Sequence, residues 1–429
     1  MRIFFYLTCF LTLTLASRHS ASKHISSKQN ASKEDISSKK THPHKHGHNE
    51  ETLAAKEVEE ANFLFSLDMY KHLSSKSVSS PEKNLFYSPL SISSTLAMLS
   101  LGAKHQTHSQ ILELLKLKHA KIEDKMIHKA YGNLLHVLDQ PKSDLQFKFG
   151  NAIFVASNLK MVKSFVSQVK QYYQAEIMAT NFSNGNAAEK KVNDYVRYKT
   201  KGKIDNIVEH LDPYTEMVLA NYILFKGKWT DNFQSQLTHT RYFMLDSHTK
   251  VHVSMMNRIG LYKTFRDRTH QCQILQLPYK NNAFMLLIIP ELGQIHTIEQ
   301  ILSKETVTKW IDSIASSFVN LYLPKFSISA VLQIKKTFSQ MGMTDIFSEK
   351  ADFSGIATKF NVKVSKAIHK AVLNINEYGT EATGATAIPV IPTALFPALM
   401  VDRPFILMIF NEETRSILFM GRVMDPTQK

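Results

Sequence analysis

The spacing of apolar residues predicts helices in the first part of the folded chain. A strand-like run in residues 84–103 turns at Ser88-Pro89 and continues as a helix of small and apolar residues. Before it, apolar residues recur every three or four positions, which is typical of an amphipathic helix. The residues that recur are Val58, Ala61, Phe65, Met69 and Leu73.

The second half of the chain instead carries short runs of apolar and β-branched residues that predict strands. These runs cover residues 283–290, 319–329, 403–410 and 416–423. No strand-helix unit repeats along the chain. Helices early, strands late and no repeat together indicate an α+β fold.

The first 17 residues have the pattern of a cleaved signal peptide. Arg2 precedes an apolar stretch of about a dozen residues, which is too short to span a membrane, and small residues follow at Ala16 and Ser17. No later segment is long and apolar enough to span a bilayer. We therefore expect a secreted, soluble, extracellular protein.

Residues 18–52 are rich in Ser, Lys and His and contain almost no large apolar side chain, which predicts a disordered tail. The folded domain is expected over residues 53–429. Within the tail, alternate histidines have a spacing that zinc or copper can share, although a solvated low-complexity tail has the same pattern. We favour the solvated tail and assign no metal site or cofactor. The histidines are His42, His44, His46 and His48.

The chain has two cysteines, Cys9 and Cys272, and the first lies in the predicted signal peptide. A secreted chain without a disulfide must be held together by a large core. Cys272 stands in an apolar run, which favours a buried inert thiol over a reactive nucleophile.

The formal net charge of +15 predicts a basic surface. No zinc-finger spacing or RNA-binding motif accompanies the charge, so we expect no nucleic-acid partner. A lysine cluster after residue 115 is compatible with a heparin-like glycosaminoglycan, and equally with solvated lysines on a helix or loop. Its members are Lys116, Lys118, Lys121, Lys125 and Lys129.

Residues 377–397, EYGTEATGATAIPVIPTALFP, differ from an ordinary loop or core strand because they are poor in bulky and charged side chains. No nucleophile elbow, zinc-protease motif or phosphate-binding loop accompanies them, so we do not expect an enzyme. In an extended conformation, small residues would lie on both faces. Such a segment can enter an existing sheet as a strand or offer its backbone to a protease cleft.

Six stretches in the same order resemble the serpin family, and most closely its secreted alpha-1-antitrypsin-like branch, clade A. They are FYSPLSISSTLAMLSLGA, VNDYVRYKTKGKI, LANYILFKGKW, KAIHKAVLNINEYGTEATGAT, RPFILMIF and FMGRVMDPTQK. The resemblance implies three β-sheets, about eight or nine helices and an exposed C-terminal reactive loop at about residues 377–402. It also implies a suicide-substrate inhibitor, whose loop is cleaved by a serine protease and then inserts into a sheet.

The resemblance places the reactive bond between Thr393 and Ala394. No Lys or Arg lies between residues 378 and 402, which favours an elastase-like target over a trypsin-like one. Cleavage at the nearby Leu395-Phe396 bond by a chymotrypsin-like enzyme is the alternative. The hinge that must insert first is implied to comprise Glu377, Gly379, Thr380, Glu381, Ala382, Thr383, Gly384, Ala385 and Thr386.

The resemblance also implies supporting residues around the sheet. Trp229 falls where the loop enters, and Lys325 is expected to pair with Glu377. A polar cluster is expected under the opening sheet, where it either biases the sheet between two arrangements or satisfies the core alone. The cluster residues are Ser88, Ser91, Asn221 and His369.

Pro389 weakens the inhibitor hypothesis, because proline lacks the N–H that a central strand donates. The alternative is a non-inhibitory serpin that carries a small hydrophobic ligand or binds another protein. Two sequons, at Asn30 and Asn181, predict N-glycans, and we expect a monomer.

Overall fold

The computed structural model describes residues 44–75, 83–140, 144–358, 362–380 and 396–428. Nine α-helices lie in these ranges, six of them before residue 200. They are α1 (His44–Ser75), α2 (Pro89–Ser100), α3 (His105–Leu114), α4 (Asp124–Asp139), α5 (Lys163–Tyr173), α6 (Gly185–Lys199), α7 (Ile295–Ile301), α8 (Lys304–Ser313) and α9 (Ile334–Gln340). None of these helices is long and apolar enough to cross a membrane.

The fifteen described strands are concentrated after residue 144. They are β1 (Leu85–Tyr87), β2 (Leu145–Ala156), β3 (Glu176–Thr180), β4 (Met217–Lys228), β5 (His239–Met244), β6 (Lys250–Asp267), β7 (Cys272–Tyr279), β8 (Ala283–Pro290), β9 (Ala315–Pro324), β10 (Phe326–Gln333), β11 (Lys366–Asn376), β12 (Gly379–Thr380), β13 (Ala398–Met400), β14 (Phe405–Asn411) and β15 (Ile417–Val423). The predicted α+β class is confirmed.

Three sheets are built from these strands. The first has the order β10-β11-β12-β4-β2-β3, and the second runs β1-β15-β14-β8-β7-β6. The third contains β5, β6, β9 and β13, and it is continuous with the second because the 18-residue β6 belongs to both. The second sheet supplies most of the core, since every residue of β8, β14 and β15 is buried.

The opening helix α1 starts at His44, which is earlier than the boundary at residue 53 that the sequence predicted. The helical residues before that boundary include Glu50 and Glu51, and Glu is a good helix former. Ala54 is already buried, and Glu51 pairs with Lys129 of α4 at 3.6 Å. Packing therefore begins near the first buried residue, Ala54, and the helix extends almost three turns before it.

Helix α2 crosses the interior, and all twelve of its residues are buried. The Ser88 hydroxyl caps its first turn by accepting a hydrogen bond from the Ser91 N–H at 3.2 Å, and Pro89 occupies the first helical position. The predicted turn at Ser88-Pro89 is therefore a helix start. A buried helix without charges can lie directly beneath a sheet.

The single run predicted at residues 319–329 forms two strands in different sheets. Strand β9 ends at Pro324 and belongs to the third sheet, whereas β10 begins at Phe326 in the first. Lys325 lies between them and donates its backbone N–H to the Ser254 carbonyl at 2.8 Å. The apolar pattern does not mark this change of sheet because both strands are half-buried.

Cys272 is buried and unpaired, as the sequence predicted. Burial raises the pKa of its thiol to about 12. The thiolate is therefore not formed at neutral pH, and the group is chemically inert there.

Candidate functional site

The candidate site lies where β12 enters the first sheet. Gly379 and Thr380 pair antiparallel with Ile375 and Asn376 of β11 on one side and with Gly227 and Lys228 of β4 on the other. Below this point β11 and β4 pair directly with each other, in parallel, over residues 366–372 and 218–224. The sheet is therefore open at one end, where it holds two residues of a new strand, and closed beneath them.

Gly379 is required by the close approach of β4. Its φ of +135° lies in a region that favours glycine, and a Cβ there would lie 2.0 Å from the Gly227 carbonyl oxygen. Thr380 follows with no exposed surface. Its hydroxyl lies 3.0 Å from the hydroxyl of Tyr279, so the polar group is satisfied inside the sheet.

Trp229 closes the open end of the sheet, at the position where the sequence predicted loop entry. Its ring stacks on Tyr279 with centroids 4.3 Å apart. Its indole N–H donates to the Asn376 carbonyl at 3.0 Å, and its backbone N–H donates to the Tyr378 carbonyl at 3.0 Å. The tryptophan thus holds both ends of the turn that leads from β11 into β12.

The predicted pair of Lys325 and Glu377 is present, with Nζ and Oε2 3.1 Å apart. Thr238 donates a second hydrogen bond to the same carboxylate at 2.9 Å, and the Phe233 N–H donates to the Glu377 carbonyl at 2.8 Å. Burial opposes ionisation of Glu377, but hydrogen bonds from its own backbone N–H, Lys325 and Thr238 outweigh it and lower the pKa. The start of the hinge is therefore anchored as a carboxylate.

The predicted polar residues meet in one buried cluster beneath the closed part of the sheet. The Ser88 N–H donates to Nε2 of His369 at 3.0 Å, so the ring proton is on Nδ1, which donates to the Asn221 side-chain oxygen. The Asn221 amide donates in turn to the Ser91 hydroxyl at 2.7 Å. The cluster therefore connects α2 to both strands that must separate if β12 is to lengthen.

Two further members of the cluster, Thr95 and Asn151, were not predicted. The Asn221 amide and the Thr95 hydroxyl both donate to the Asn151 side-chain oxygen, at 2.6 Å each. Asn151 stands opposite Asn221 in the pairing of β2 with β4, and His369 stands opposite Asn221 on the other side. An asparagine inside the apolar strand β2 is the sequence signal that points to it.

The cluster makes the sheet sensitive to acid, because burial lowers the pKa of His369 from 6.5 to about 3. In the unfolded chain His369 takes up a proton near pH 6.5, whereas in the native chain it stays neutral down to about pH 3. The free energy of unfolding therefore decreases as the pH falls between these two values. Protonation of Nε2 also removes the acceptor for the Ser88 N–H. We expect the free energy of unfolding to decrease by up to about 1.4 kcal/mol per pH unit from this group.

The measurement is urea unfolding at several pH values for the wild type and the variants His369→Gln and His128→Gln. His128 is the matched control, because burial also lowers its pKa, to about 4, but it packs against Tyr173 away from β4 and β11. Each variant should flatten the pH dependence. Only His369→Gln should change the pH dependence of uptake of a synthetic peptide with the sequence of residues 380–390. Equal effects of the two variants on peptide uptake would contradict a role for His369 in the sheet.

Several predicted residues lie outside the described ranges: Glu381, Ala382, Thr383, Gly384, Ala385, Thr386, Pro389, Thr393, Ala394 and Asn30, together with the predicted signal peptide and residues 18–43 of the predicted tail. Asn181 is described and exposed, and its side chain accepts hydrogen bonds from the N–H and hydroxyl of Ser183. In the lysine cluster, Lys116, Lys118 and Lys129 pair with Asp68, Glu113 and Glu51. These pairs reduce the net positive charge available to a glycan there.

Comparison with known proteins decides the family. A model of the serpins, the serine protease inhibitors, matches residues 60–426. The chain belongs to the serpin family. Among relatives, this serpin is 45% identical over 397 residues to serine protease inhibitor A6 of Xenopus laevis, covering 89% of this chain and 90% of that one. It is 42% identical over 368 residues to alpha-1-antiproteinase of Bos taurus, covering 86% and 87%.

Solved serpins share the fold. Human thyroxine-binding globulin aligns with a TM-score of 0.82 at 38% identity, over 87% of this chain and 100% of that one. A second structure shows thyroxine-binding globulin in a complex with thyroxine. Uncleaved ovalbumin aligns with a TM-score of 0.79 at 27% identity, over 86% and 100%. The resemblance to clade A serpins and the three-sheet architecture that it implied are confirmed.

Proposed function

We propose that this serpin is a secreted suicide-substrate inhibitor of an extracellular serine protease, with an elastase-like or chymotrypsin-like target. The observation that carries the proposal is β12, which occupies the gap between β4 and β11 for two residues and is antiparallel to both. A strand that lengthens there forms hydrogen bonds on both of its edges. We also propose that Asn181 and Asn30 carry N-glycans.

The proposed reaction uses the catalytic serine of the protease as nucleophile. Its hydroxyl oxygen attacks the Thr393 carbonyl, the bond to the Ala394 nitrogen breaks, and that nitrogen leaves as an amine after accepting a proton from the protease. An ester then joins Thr393 to the protease. The segment on the N-terminal side of the cut, which ends at Thr393 and is still joined to the protease, then inserts between β4 and β11. It carries the protease with it before water hydrolyses the ester. The serpin is consumed in a single turnover.

The register of β12 predicts where each loop residue would lie after insertion. Thr380 pairs with Ile375 of β11 and Gly227 of β4. Continued antiparallel pairing places Thr386, six residues later, level with His369 and Asn221, which are six residues back on each strand. The threonine hydroxyl would then offer a hydrogen-bond partner to the cluster that the strand separates. This agreement supports insertion over an ordinary exposed loop.

The same register places Pro389 opposite Lys366, the first residue of β11. The N–H that proline lacks would therefore be missing at the end of the inserted strand, where pairing stops. The cost of about 1–3 kcal/mol for one unpaired buried group then falls on the last step of insertion. Insertion past the polar cluster is not blocked by Pro389.

Purified mature protein incubated with elastase-like and chymotrypsin-like proteases tests the proposal. We expect a covalent complex that survives denaturation, and a released peptide that begins at Ala394. A peptide that begins at Phe396 would move the reactive bond to Leu395-Phe396 and favour a chymotrypsin-like target. Cleavage with no complex by every protease, in the wild type and in Pro389→Ala, would contradict inhibition.

A second candidate function is supported by a cleft of about 890 Å³ between α1, α8 and the end of β14. Phe284 and Phe410 stack at 5.1 Å, and Phe63 lies 6.3 Å from Phe410. Arg415 reaches the rim, beside Glu59, whose pKa is raised by burial against the pull of the arginine. The lining also contains Lys56 and Lys304 and four carboxylates, those of Glu59, Glu60, Asp312 and Glu412. Aromatic rings with charges of both signs suit a flat aromatic ligand that carries a carboxylate and an amine. The cleft therefore supports the alternative of a carrier for a small hydrophobic ligand.

Thyroxine is a suitable probe, because thyroxine-binding globulin is a structural neighbour of this serpin. If the cleft carries such ligands, titration calorimetry should detect binding, and Arg415→Gln should weaken it about tenfold through loss of a charge-assisted contact. Arg266→Gln is the control, since Arg266 is an exposed arginine away from the cleft. Absence of binding, or equal binding by both variants, would contradict the carrier function.

A further inference from the structure

The outer face of the third sheet carries an exposed apolar patch, hereafter the outer patch. Leu261 of β6 and Phe318 of β9 are opposite each other in the register, and 54% and 55% of their surfaces are exposed. Phe396, just before β13, stacks on Phe318 with ring centroids 5.5 Å apart. Three large apolar side chains thus form one row across three neighbouring chain segments.

The patch continues along the strands. The next two rows contain the apolar or aromatic residues Ile259, Ala398, Tyr322 and Met400, which are all at least partly exposed. They also contain Asn257 and Asn320, whose side chains hydrogen-bond to each other at 2.6 Å. The residues that alternate with them along β6 and β9, such as Tyr262 and Val319, are on the opposite face and are buried. The outer face of the third sheet is therefore apolar at its centre, whereas an antiparallel sheet with one face in water normally carries polar residues there. An exposed cluster of large apolar side chains with a polar surround indicates a surface that meets a partner.

The location of the patch identifies the partner. Phe396 is the first described residue after the loop, and it follows Ala394, at the proposed reactive bond, by two residues. Two residues span at most about 7 Å between their Cα atoms in any conformation. A protease that holds the Thr393-Ala394 bond in its cleft therefore has its surface on the leaving side directly against this row.

Charge around the patch adds a second criterion. Lys263 is the next outward-facing residue of β6 after Leu261. The Arg241 guanidinium lies 4.4 Å from the ring centre of Tyr322. Among the described outward positions of β6, β9 and β13 there is no Asp or Glu. The surface is apolar with a basic margin, which complements an apolar surface that carries carboxylates.

We propose that the outer patch is a docking surface for the target protease, which it contacts beside the cleft, on the side of the leaving peptide, through apolar and acidic groups. The proposal rests on the function proposed above and deepens it. The loop residues then determine which bond is cut, and the patch determines how often an encounter becomes productive. Selectivity among proteases with similar primary pockets would follow from this second contact.

The test compares the double variant Leu261→Ser/Phe318→Ser with the control Val166→Ser/Val331→Ser. The control residues are also exposed apolar side chains, at 40% and 45%, but they lie on α5 and β10. The quantity measured is the second-order rate at which each protease consumes intact serpin, with complex and cleaved product summed. We expect the patch variant to slow consumption by about 10- to 100-fold, as for loss of central interface contacts. The control should match the wild type.

Summing complex and cleaved product separates this proposal from the inhibitor proposal. If the wild type is cleaved without forming a complex, inhibition fails, but the cleavage rate still reports on the patch. The partition between complex and cleaved product should stay unchanged in the patch variant, because residues 377–380 are untouched. Unfolding midpoints equal to wild type verify folding, and the single variant Leu261→Asn repeats the test with a smaller change.

Two results would overturn the proposal. One is an unchanged rate of consumption for the patch variant with every protease that cleaves the loop. The other is a wild-type dimer in light scattering that the patch variant converts to monomer, since the patch would then join two copies of this chain.

Discussion

Replacing Thr380 with glutamate is expected, on the proposed mechanism, to convert the serpin from an inhibitor into a substrate. Thr380 has no exposed surface, and it lies between β4 and β11 with its hydroxyl 3.0 Å from that of Tyr279. A glutamate at this position places a carboxylate inside the sheet without a cation beside it. The penalty for burying an uncompensated charge is several kcal/mol. The variant hinge should therefore remain outside the sheet.

The consequence is a change in the fate of the acyl-enzyme. Insertion and hydrolysis compete for it, and a shift of only 1.4 kcal/mol in their relative barriers changes the outcome tenfold. We expect the yield of covalent complex to fall at least about tenfold, with a matching rise in cleaved serpin. Quantitative denaturing gels measure both products. The rate of attack on the loop should not change, because Thr380 is thirteen residues from Thr393 (393 − 380).

Thr380→Ser is the matched control for this prediction. It retains the hydroxyl that meets Tyr279 and adds no charge, so it should form complex in wild-type yield. Glu381→Gln is a second control, since it alters charge at the next position. An undiminished yield of complex from Thr380→Glu would show that β12 does not lengthen during inhibition.

Replacing Arg422 with methionine is expected to destabilise the fold by about 3–5 kcal/mol, the cost of leaving the partner of a buried ion pair uncompensated. Arg422 lies on β15 with its side chain 2% exposed, and its guanidinium contacts Glu299 of α7 at 2.8 and 3.1 Å. The same carboxylate accepts from Tyr70 of α1 at 2.9 Å. The pair therefore ties α1, α7 and β15 together. Removal of the arginine leaves a buried carboxylate whose remaining side-chain partners are Tyr70 and the ring of His296, 2.8 Å from Oε2.

Urea unfolding of the single and double variants measures this effect. The double variant Arg422→Met/Glu299→Gln should recover at least half of the loss, because no buried charge is left. Arg266→Met is the control: Arg266 and Glu291 are exposed and 3.6 Å apart, so its loss should cost about 0–1 kcal/mol. A double variant less stable than Arg422→Met alone would show that the methionine packs poorly, and would contradict the electrostatic explanation.

Local patterns predicted the elements of this fold because periodicity and capping act within a few residues. The 3.6-residue spacing from Val58 to Leu73 lies in α1, and Ser88-Pro89 is the start of α2. The early start of α1 was missed because the residues before Ala54 carry no apolar stripe and include Gly47 and Asn49, which are weak helix formers. The division of one apolar run at Lys325 was missed because the choice of sheet depends on distant partners such as Ser254.

Some residues of the candidate site were likewise predicted from the sequence, and others were revealed only by the fold. The resemblance supplied the residues around the opening sheet, since each lies in a recognisable stretch. It did not supply Asn151, whose role depends on standing level with Asn221 across β2 and β4. The aromatic cleft was also not predicted, because Phe63 and Phe410 come together only after the fold brings the two ends of the domain into contact. Pairing register and long-range packing are properties of the folded chain, so a local pattern can mark Asn151 as unusual but cannot assign its partners.

The burial of Cys272 has a practical consequence for watching the sheet move. Its thiol pKa of about 12 and its enclosure make it unreactive toward maleimide reagents at neutral pH. In a chain from which the predicted signal peptide, with Cys9, has been removed, a cysteine introduced at the exposed Tyr214 would therefore accept a fluorescent label without competition from Cys272. The absence of a disulfide involving Cys272 also means that thiol reductants used during labelling leave the fold intact. Light emission from this dye, close in sequence to the start of β4, would then show in real time whether the proposed insertion occurs.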